Sequence, residues 1–343
     1  MVRKLIGKFC VFLIITGVFL TALSPLFIYK IAHRANLIQG LYDSDDGYDV
    51  LLIGSSHMNG GLDPNVLWKK YGIASYNYAT GGQTLETSYY VLKEALKKHG
   101  DPDVVAVDAF YAACSAPYGE SALLSNALDN LKFSANKAEA IFQCVSPRDW
   151  VSFFFPVLKY HFRWSTLDPK DYSFFDTASF YYTKGFDSGL SRWGKSDVSY
   201  ADTRNKTAIP PKSLRYLQKF VDLSKQYGFS LVFLNFPADY SDYNKMDGWV
   251  DDCEALFNSV ADFAAQRGVP FLDYCDRMDE IGLDFANDMN NASHLNLWGA
   301  CKLSADFGAY LKRNYSLEDR RSDPAYAEWN LDYRRSQAHS VLG

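Results

Sequence analysis

The sequence predicts an α/β protein in which a parallel sheet of about five strands lies between two layers of helices, behind an N-terminal transmembrane helix. Three observations lead to this prediction. Short apolar runs alternate with amphipathic stretches of roughly 10 to 20 residues, which is typical of βαβ crossovers. The 343 residues are 48% hydrophobic and 22% charged, enough for one large domain with a full core. One long segment near the N-terminus is apolar and uncharged.

The first element is this apolar segment, from Phe9 to Tyr29. It runs for about 21 residues without a charge, and a helix of that length crosses the hydrocarbon layer of a bilayer. Basic residues flank it: Arg3, Lys4 and Lys8 before, Lys30 and Arg34 after. Their bias toward a cytoplasmic N-terminus is slight. A cleaved signal peptide is the alternative, but Pro25 follows the best cleavage site. We expect residues 1–34 to be an uncleaved, single-pass anchor in the cell membrane, with the remaining chain outside the cytoplasm.

Five strands and four long helices are predicted after the anchor, within one α/β/α domain over residues 35–313. The strands are Tyr48–Ile53, Ile73–Tyr78, Val104–Ala109, Ser230–Asn235 and Pro270–Asp273. The helices are Thr84–His99, Pro211–Tyr227, Gly248–Arg267 and Leu297–Arg313. The strands are short and almost wholly apolar, as expected for a parallel sheet covered on both faces.

Two segments depart from this alternation. Residues 111–209 are rich in aromatic side chains, and their simplest interpretation is a helical insertion with its own core. The alternative is a cap that packs over the carboxyl edge of the sheet and lines a sugar-binding groove. Residues 314–343 are strongly charged around Trp329 and predict a surface extension.

Charge and cysteine content exclude two classes of function. The net charge is -5 and there is no basic block, so nucleic acid is not an expected partner. The six cysteines are widely spaced and have no metal-ligand spacing, so no metal or other cofactor is expected. In an oxidising compartment one disulfide remains open, either Cys253 to Cys275 or Cys114 to Cys144.

A reactive serine is predicted where the first strand ends. The stretch from Tyr48 to His57 reads YDVLLIGSSH, so that Ser56 lies at the carboxyl edge of the sheet, where α/β proteins keep their sites. A serine nucleophile needs a base. Of the six histidines, His294 lies in a polar loop that follows the last strand and returns to the same edge. The ring of His57, adjacent in sequence, is expected to point away from Ser56.

These stretches resemble the SGNH (GDSL-type) hydrolase superfamily. Ile53–His57 resembles its first block, with Ser56 at the nucleophile position, and Asn291–Ala300 resembles its last block, with His294 as the base. Tyr76–Leu96 looks like the second block, in which a glycine amide contributes to the oxyanion hole. The resemblance covers most of residues 45 to 313. The layout is similar to bacterial membrane-anchored members, some of which serve O-acylation of cell-envelope polysaccharides.

The resemblance implies a mechanism. Ser56 would attack an acyl carbonyl, His294 would take its proton and return it to the leaving alcohol, and the amides of Ser56 and Gly82 would hold the oxyanion, with Gly81 as the alternative to Gly82. Further residues are expected to contact the substrate: His57, Gln83, Tyr160, Arg163 and Trp164.

The sequence departs from the family pattern in two places. Asn291 stands where the last block has an aspartate that orients the histidine, and Asp288 is an alternative for that role. The third block, Gly-x-Asn-Asp, is absent, and Asp108 ends the corresponding strand instead.

The expected function is that of an extracytoplasmic serine esterase or O-acyltransferase, acting on acetyl-like esters of cell-envelope glycans. The alternative, favoured by Asn291, is a non-catalytic protein of the same fold that binds glycan or assists assembly beside a membrane-bound O-acyltransferase.

Overall fold

The sheet at the centre of the molecule has five strands, all parallel, in the order β2-β1-β3-β4-β5. The computed structural model describes residues 2–172, 177–195 and 205–342. The strands are β1 Val50–Ile53, β2 Ser75–Asn77, β3 Val104–Asp108, β4 Ser230–Asn235 and β5 Phe271–Asp273. The predicted α/β class and the parallel sheet of five strands are therefore confirmed.

The strand order creates a switch point between β1 and β3. Val50 of β1 pairs with Ser75 on one side and with Val104 on the other. From β1 the chain moves outward to β2, and then returns across β1 to form β3. In open α/β sheets such a reversal leaves a crevice at the carboxyl ends of the two strands, where ligands bind.

Helices cover both faces of the sheet. In the first half of the chain they are α1 Val2–Phe27, α2 Ala32–Ile38, α3 Ser56–Gly61, α4 Pro64–Tyr71, α5 Leu85–Ala95, α6 Ser121–Leu128, α7 Ala135–Cys144, α8 Trp150–Phe154, α9 Val157–Tyr160 and α10 Pro169–Tyr172. Those that follow are α11 Pro211–Tyr227, α12 Cys253–Ala265, α13 Phe285–Asp288, α14 Leu297–Asn314 and α15 Trp329–Leu342.

Successive strand residues point to opposite faces, and two separate cores result. Leu51 and Ile53 belong to the core formed with α5, α11 and α12. Val50 and Leu52 belong to the core formed with α4 and α14. This arrangement explains why the strands read as continuous apolar runs rather than as alternating ones.

Several predicted elements are longer than the observed ones. Thr84, predicted to begin a helix, is instead the N-cap of α5, and its side chain accepts a hydrogen bond from the amide of Thr87. Gly248 was also expected to begin a helix. It has a φ of 81°, a left-handed conformation outside the helical region, and α12 begins only after the Asp252 cap. Both differences arise from capping and turn geometry.

The N-terminal helix α1 is long and apolar enough to cross a membrane, as predicted. Ser24 is its only buried residue among those described. The Ser24 hydroxyl accepts a hydrogen bond from the amide of Val157 at 3.2 Å. Phe27 ends the helix, and its carbonyl accepts a hydrogen bond from Arg163 at 2.5 Å. The C-terminal end of α1 is therefore packed against the segment 111–209.

That segment is helical in the residues described, with α6 to α10 and short 3-10 turns. A buried polar cluster joins it to the chain that follows α1. The Asp129 carboxylate accepts hydrogen bonds from Lys159 at 2.5 Å and from the Tyr160 hydroxyl at 2.8 Å, and Arg34 lies 3.9 Å away. Arg163 makes a two-point contact with Asp171 at 2.9 and 3.0 Å. The basic and aromatic residues here stabilise the junction with the C-terminal end of α1.

The C-terminal segment is more than a surface extension. Trp329 is only 2% exposed, its ring lies 5.1 Å from that of Trp68, and its indole N–H donates to Asp46 at 2.8 Å. Arg320 donates to the carboxylate of Asp49, just before β1, at 2.8 and 3.1 Å. The predicted surface extension therefore also has a buried part, because its charged residues surround an aromatic contact.

All six cysteines are free thiols in the structure. Neither candidate disulfide, Cys253 to Cys275 or Cys114 to Cys144, is formed. Four of the six are buried, and burial raises the pKa of Cys144 well above its ordinary value. The cysteines that could have paired behave as small core residues instead.

Candidate active site

Ser56 lies at a sharp passage from strand to helix. β1 ends at Ile53, Ser55 caps α3 by accepting a hydrogen bond from the amide of His57, and Ser56 is the first helical residue. A β-carbon on Gly54 would lie 2.4 Å from the β-carbon of Asp108. Glycine is therefore required where the ends of β1 and β3 meet. The passage presents the half-buried Ser56 hydroxyl at the switch point.

His294 comes to Ser56 from the far end of the chain. The two residues are 238 positions apart, and the Nε2 atom of His294 lies 2.7 Å from the Ser56 hydroxyl oxygen. The loop that carries His294 is held at both ends. The amide of Asn290 donates to the His294 carbonyl at 2.8 Å, and Asn296 caps α14 through the amides of Trp298 and Gly299. The structure thus brings the predicted nucleophile and base into hydrogen-bond contact.

Asn291 occupies the position next to the other ring nitrogen of His294. Its Oδ1 atom lies 3.0 Å from Nδ1 and also accepts the amides of Ser293 and His294, at 3.0 and 3.1 Å. These two amides hold the Asn291 oxygen, rather than its nitrogen, at Nδ1. An oxygen at Nδ1 favours the tautomer with a proton there, which leaves the Nε2 lone pair free to accept the proton of Ser56.

Asp288 does not take this role. It is buried, accepts a hydrogen bond from Lys302 at 2.7 Å, and accepts the amide of Asp284 at 2.8 Å. None of the hydrogen bonds described joins Asp288 to the ring of His294. The alternative suggested by the sequence is wrong, because Asp288 belongs to α13 and stabilises the start of that helix.

A second polar network lies beside the first. The carboxylate of Asp108 accepts the Ser55 hydroxyl at 2.5 Å, the Ser55 amide at 3.1 Å and the Phe110 amide at 2.8 Å. The Ser55 oxygen in turn lies 3.0 Å from Nδ1 of His57. Burial raises the pKa of Asp108, and these hydrogen bonds oppose that rise. These hydrogen bonds hold Ser55, the residue before Ser56, in place.

The ring of His57 packs against the ring of His294. Its ring is nearly parallel to that of His294, at 17° and 4.7 Å between centroids, and lies 3.7 Å from the ring of Phe110. Burial lowers the pKa of His57 well below its ordinary value, and His294 adds to the effect. A neutral, buried ring packs against the base. The expectation that His57 contacts substrate is not supported, because His294 and Phe110 cover it.

The loop predicted to stabilise the oxyanion lies against the end of β1. The amide of Thr80 donates to the carbonyl of Gly54 at 3.3 Å, and Gly82 has a φ of 70°. Within the ranges described, no hydrogen-bond acceptor faces the amides of Ser56, Gly81 or Gly82. A β-carbon on Gly82 would lie 2.5 Å from Leu123, so this turn needs glycine on two grounds. The amides of both glycines are thus without a partner among the hydrogen bonds described.

The other residues predicted to contact substrate lie elsewhere. Gln83 is buried, with its carbonyl accepting Thr80 at 3.0 Å and its amide donating to Ser88 at 3.2 Å. Tyr160 and Arg163 stabilise the junction with α1, as described above. Trp164 is 74% exposed beside them. No hydrogen bond or ring contact described for these residues reaches Ser56 or His294, so their placement does not support a role in substrate binding.

The chain matches no protein-family model and no curated protein. The arrangement of Ser56, His294 and Asn291 is therefore the main indication of what the protein does. Sequence reasoning identified these three but missed Asp108 and His57 as partners. The signal that could have found Asp108 is its place at the end of a strand, beside a glycine that ends the neighbouring strand.

We expect the activity of this site to persist into mildly acidic solution. Burial lowers the pKa of His294 from its ordinary value near 6.5, so the ring stays neutral, and able to accept a proton, below that pH. In a profile of kcat/KM against pH, the acid limb should be centred below 6.5. An acid limb at or above 6.5 would contradict this expectation.

The fraction of folded protein must be followed at each pH as the control. The pKa of His57 is depressed by burial, so the unfolded chain binds a proton as the pH falls below about 6.5 while the folded chain does not. Stability from this group is present above about pH 6.5 and is lost progressively below it. Circular dichroism at each pH separates this loss from protonation of His294.

Proposed function

We propose that this chain is a membrane-anchored serine esterase or O-acyltransferase of the SGNH type, acting on small acyl esters of cell-envelope glycans outside the cytoplasm. One observation carries the proposal: a serine hydroxyl at a strand-to-helix passage lies 2.7 Å from a histidine nitrogen whose other ring nitrogen faces an oxygen acceptor. Nucleophile, base and orienting group are the three parts of acyl-transfer chemistry by serine.

In the first half of the proposed reaction, the oxygen of Ser56 attacks the carbonyl carbon of the ester while its proton passes to Nε2 of His294. The negative charge on the carbonyl oxygen is held by the amides of Ser56 and Gly82. The bond to the leaving alcohol then breaks, and His294 gives that oxygen the proton. The acyl group remains on Ser56 as an ester.

In the second half, His294 removes a proton from an incoming hydroxyl, which attacks the acyl carbon. The bond to Ser56 breaks, and the serine oxygen regains a proton from His294. Water as the incoming group gives hydrolysis, and a sugar hydroxyl gives transfer. The apolar helix α1 favours a glycan at the membrane surface as the acceptor, because it holds the site beside the bilayer.

A second candidate function is a non-catalytic protein that binds glycan or assists a membrane-bound O-acyltransferase. Asn291 favours it, because an amide orients His294 but supplies no charge to stabilise the imidazolium. Under this hypothesis, the hydrogen bond between Ser56 and His294 would only hold in place the loop that carries His294.

Covalent labelling distinguishes the two candidates. The full-length protein in detergent micelles is exposed briefly to p-nitrophenyl acetate, quenched in acid and digested, and its peptides are analysed by mass spectrometry. The proposal expects release of p-nitrophenol and an acetyl group on Ser56. If acetylation is confined to surface lysines and does not reach Ser56, the catalytic proposal fails and the non-catalytic candidate gains support. A denatured sample treated in the same way gives the background of unspecific acetylation.

A further inference from the structure

A cavity of about 350 Å³ lies where the N-terminal helix meets the helical segment 111–209. Three sides contribute to its wall: the last turns of α1, the α2 helix with the residues just after it, and the segment that follows α6. The residues that line it include Thr21, Ile38, Asn130, Lys132, Phe133 and Lys137. The cavity is separate from Ser56 and His294, neither of which lines it. Its volume is within the range of small-molecule sites.

The wall of the cavity is mainly apolar, and it continues the surface of the helix that can cross the membrane. Ile28, the residue after α1, and Ile38 of α2 face it together with Phe154 of α8. Phe133 also lines it and is 65% exposed, so the cavity has an apolar rim. Gly17 lies ten residues before the end of α1, and a β-carbon on it would be 3.7 Å from the ring of Phe155. The segment therefore follows α1 for about 15 Å along the helix axis.

The charges that line the cavity are matched by partners. Asp129 is held by Lys159 and the Tyr160 hydroxyl. The buried ammonium of Lys137 donates to the carbonyl of Leu131 at 2.9 Å, and burial lowers the pKa of Lys137 to about 8. Lys132 lies over the ring of Tyr42 at 4.2 Å. The wall carries two carboxylates, Asp43 and Asp129, and two ammonium groups, Lys132 and Lys137, so its charges balance and a neutral ligand is indicated.

Among the buried side-chain polar atoms described in the wall, one has no hydrogen-bond partner. Asn130 is 7% exposed, and its Nδ2 donates to the carbonyl of Asn126 at 2.7 Å. Its Oδ1 atom is buried and accepts no hydrogen bond from any residue the structure describes. A buried carbonyl oxygen without a donor is costly, and a ligand with a hydroxyl group would satisfy it.

We propose that this cavity binds one acyl chain of a neutral membrane lipid whose glycerol hydroxyl donates to Asn130. The lipid would enter between α1 and the segment 111–209, at the level where the helix leaves the bilayer. The inference goes beyond the proposed acyl-ester chemistry, since it concerns a different site and stands whether or not Ser56 is a nucleophile.

Photolabelling of the full-length protein in phosphatidylcholine vesicles tests the proposal. The probe is a monoacylglycerol with a diazirine in its acyl chain, and the comparison probe is the methyl ester of the same fatty acid, which has no hydroxyl donor. Mass spectrometry locates the label. We expect the monoacylglycerol to label residues 129–137, and to do so about fivefold more than the methyl ester, as one hydrogen bond would give.

Variants that fill the cavity from opposite walls should remove this label. Ile38→Trp acts from α2 and Thr21→Trp from α1, and both residues are only partly buried, so the added ring can be accommodated. The matched control is Leu158→Trp, which adds the same ring to an exposed position on α9 outside the cavity. Asn130→Leu should keep labelling by both probes but abolish the preference for the monoacylglycerol. Thermal unfolding shows that each variant is folded.

Each result supports or overturns the proposed lipid site or the role of Asn130 in it. Loss of the 129–137 label in both filling variants, with retention in Leu158→Trp, supports the site. Label that persists in a folded filling variant, or that is confined to α1, overturns it. Equal labelling by the two probes in the wild-type protein overturns the role of Asn130. Because no readout uses ester turnover, failure of this proposal is distinct from failure of the proposed function.

Discussion

Replacement of Ser56 by alanine is expected to lower acyl-ester turnover at least about a thousandfold, because the proposed acyl intermediate forms on Ser56. His294→Ala should have an effect of similar size, since its Nε2 atom is the acceptor 2.7 Å from the serine oxygen. The two losses should not add in the double variant, because the residues act as one unit. Initial rates of p-nitrophenyl acetate hydrolysis by the full-length protein measure all three.

A serine outside the site provides the control for this comparison. Ser152 lies on α8, and its hydroxyl donates only to the carbonyl of Asp149 at 2.8 Å among the contacts described. Ser152→Ala should keep the wild-type rate. Full activity in a folded Ser56→Ala or His294→Ala protein would show that the assignment of nucleophile or base is wrong. The fold should survive either change, because both side chains are only partly buried at the open edge of the sheet.

Asn291→Asp is expected to raise kcat by roughly ten- to a hundredfold. In the serine proteases, the reverse change from aspartate to asparagine costs about 10⁴, largely because the histidine is then held in the wrong tautomer. Here the Asn291 oxygen already faces Nδ1, so the tautomer is correct and only the charge is missing. A carboxylate would add stabilisation of the imidazolium.

The same change should move the dependence of the rate on pH. A carboxylate beside His294 favours the charged ring, raises its pKa, and therefore shifts the acid limb of the kcat/KM profile to higher pH. Asn290→Asp is the matched control, since it adds the same charge one residue away. The Oδ1 atom of Asn290 accepts the amide of Ser191 rather than facing the histidine. If Asn291→Asp leaves both rate and profile unchanged, a charge at Nδ1 has no role in this site.

Ser56 and His294 could be predicted from the sequence because each follows from a local pattern. A strand that ends in Gly-Ser-Ser, and a polar loop between the last strand and a helix, both lead to the carboxyl edge of a parallel sheet. Asp108 and His57 could not be assigned in this way. Their link through the Ser55 hydroxyl depends on β3 lying directly beside β1, and the order of strands is set by the packing of the whole domain.

The packing of the aromatic segment 111–209 also could not be predicted from the sequence. Aromatic side chains serve equally well in a core, in a sugar-binding groove and at a membrane surface, and composition does not distinguish these. The contacts of Arg163 with the carbonyl of Phe27 and of Val157 with Ser24 show that the segment packs against the C-terminal end of α1. The burial of Trp329 could not be predicted for a related reason, because its neighbours in sequence are charged.

The contact between Arg163 and the end of α1 has a mechanical consequence. Only four residues, 28–31, separate α1 from α2, so this stretch can extend to about 14 Å at most. The hydrogen bonds of Arg163 and Val157 with the end of α1 restrict the extension of this stretch further. With α1 in a bilayer, the domain would therefore be held near one height above the membrane surface and would not move freely through the surrounding space. On the proposed function, a glycan must be brought to the enzyme, which favours chains still attached to the membrane over those already deposited farther away.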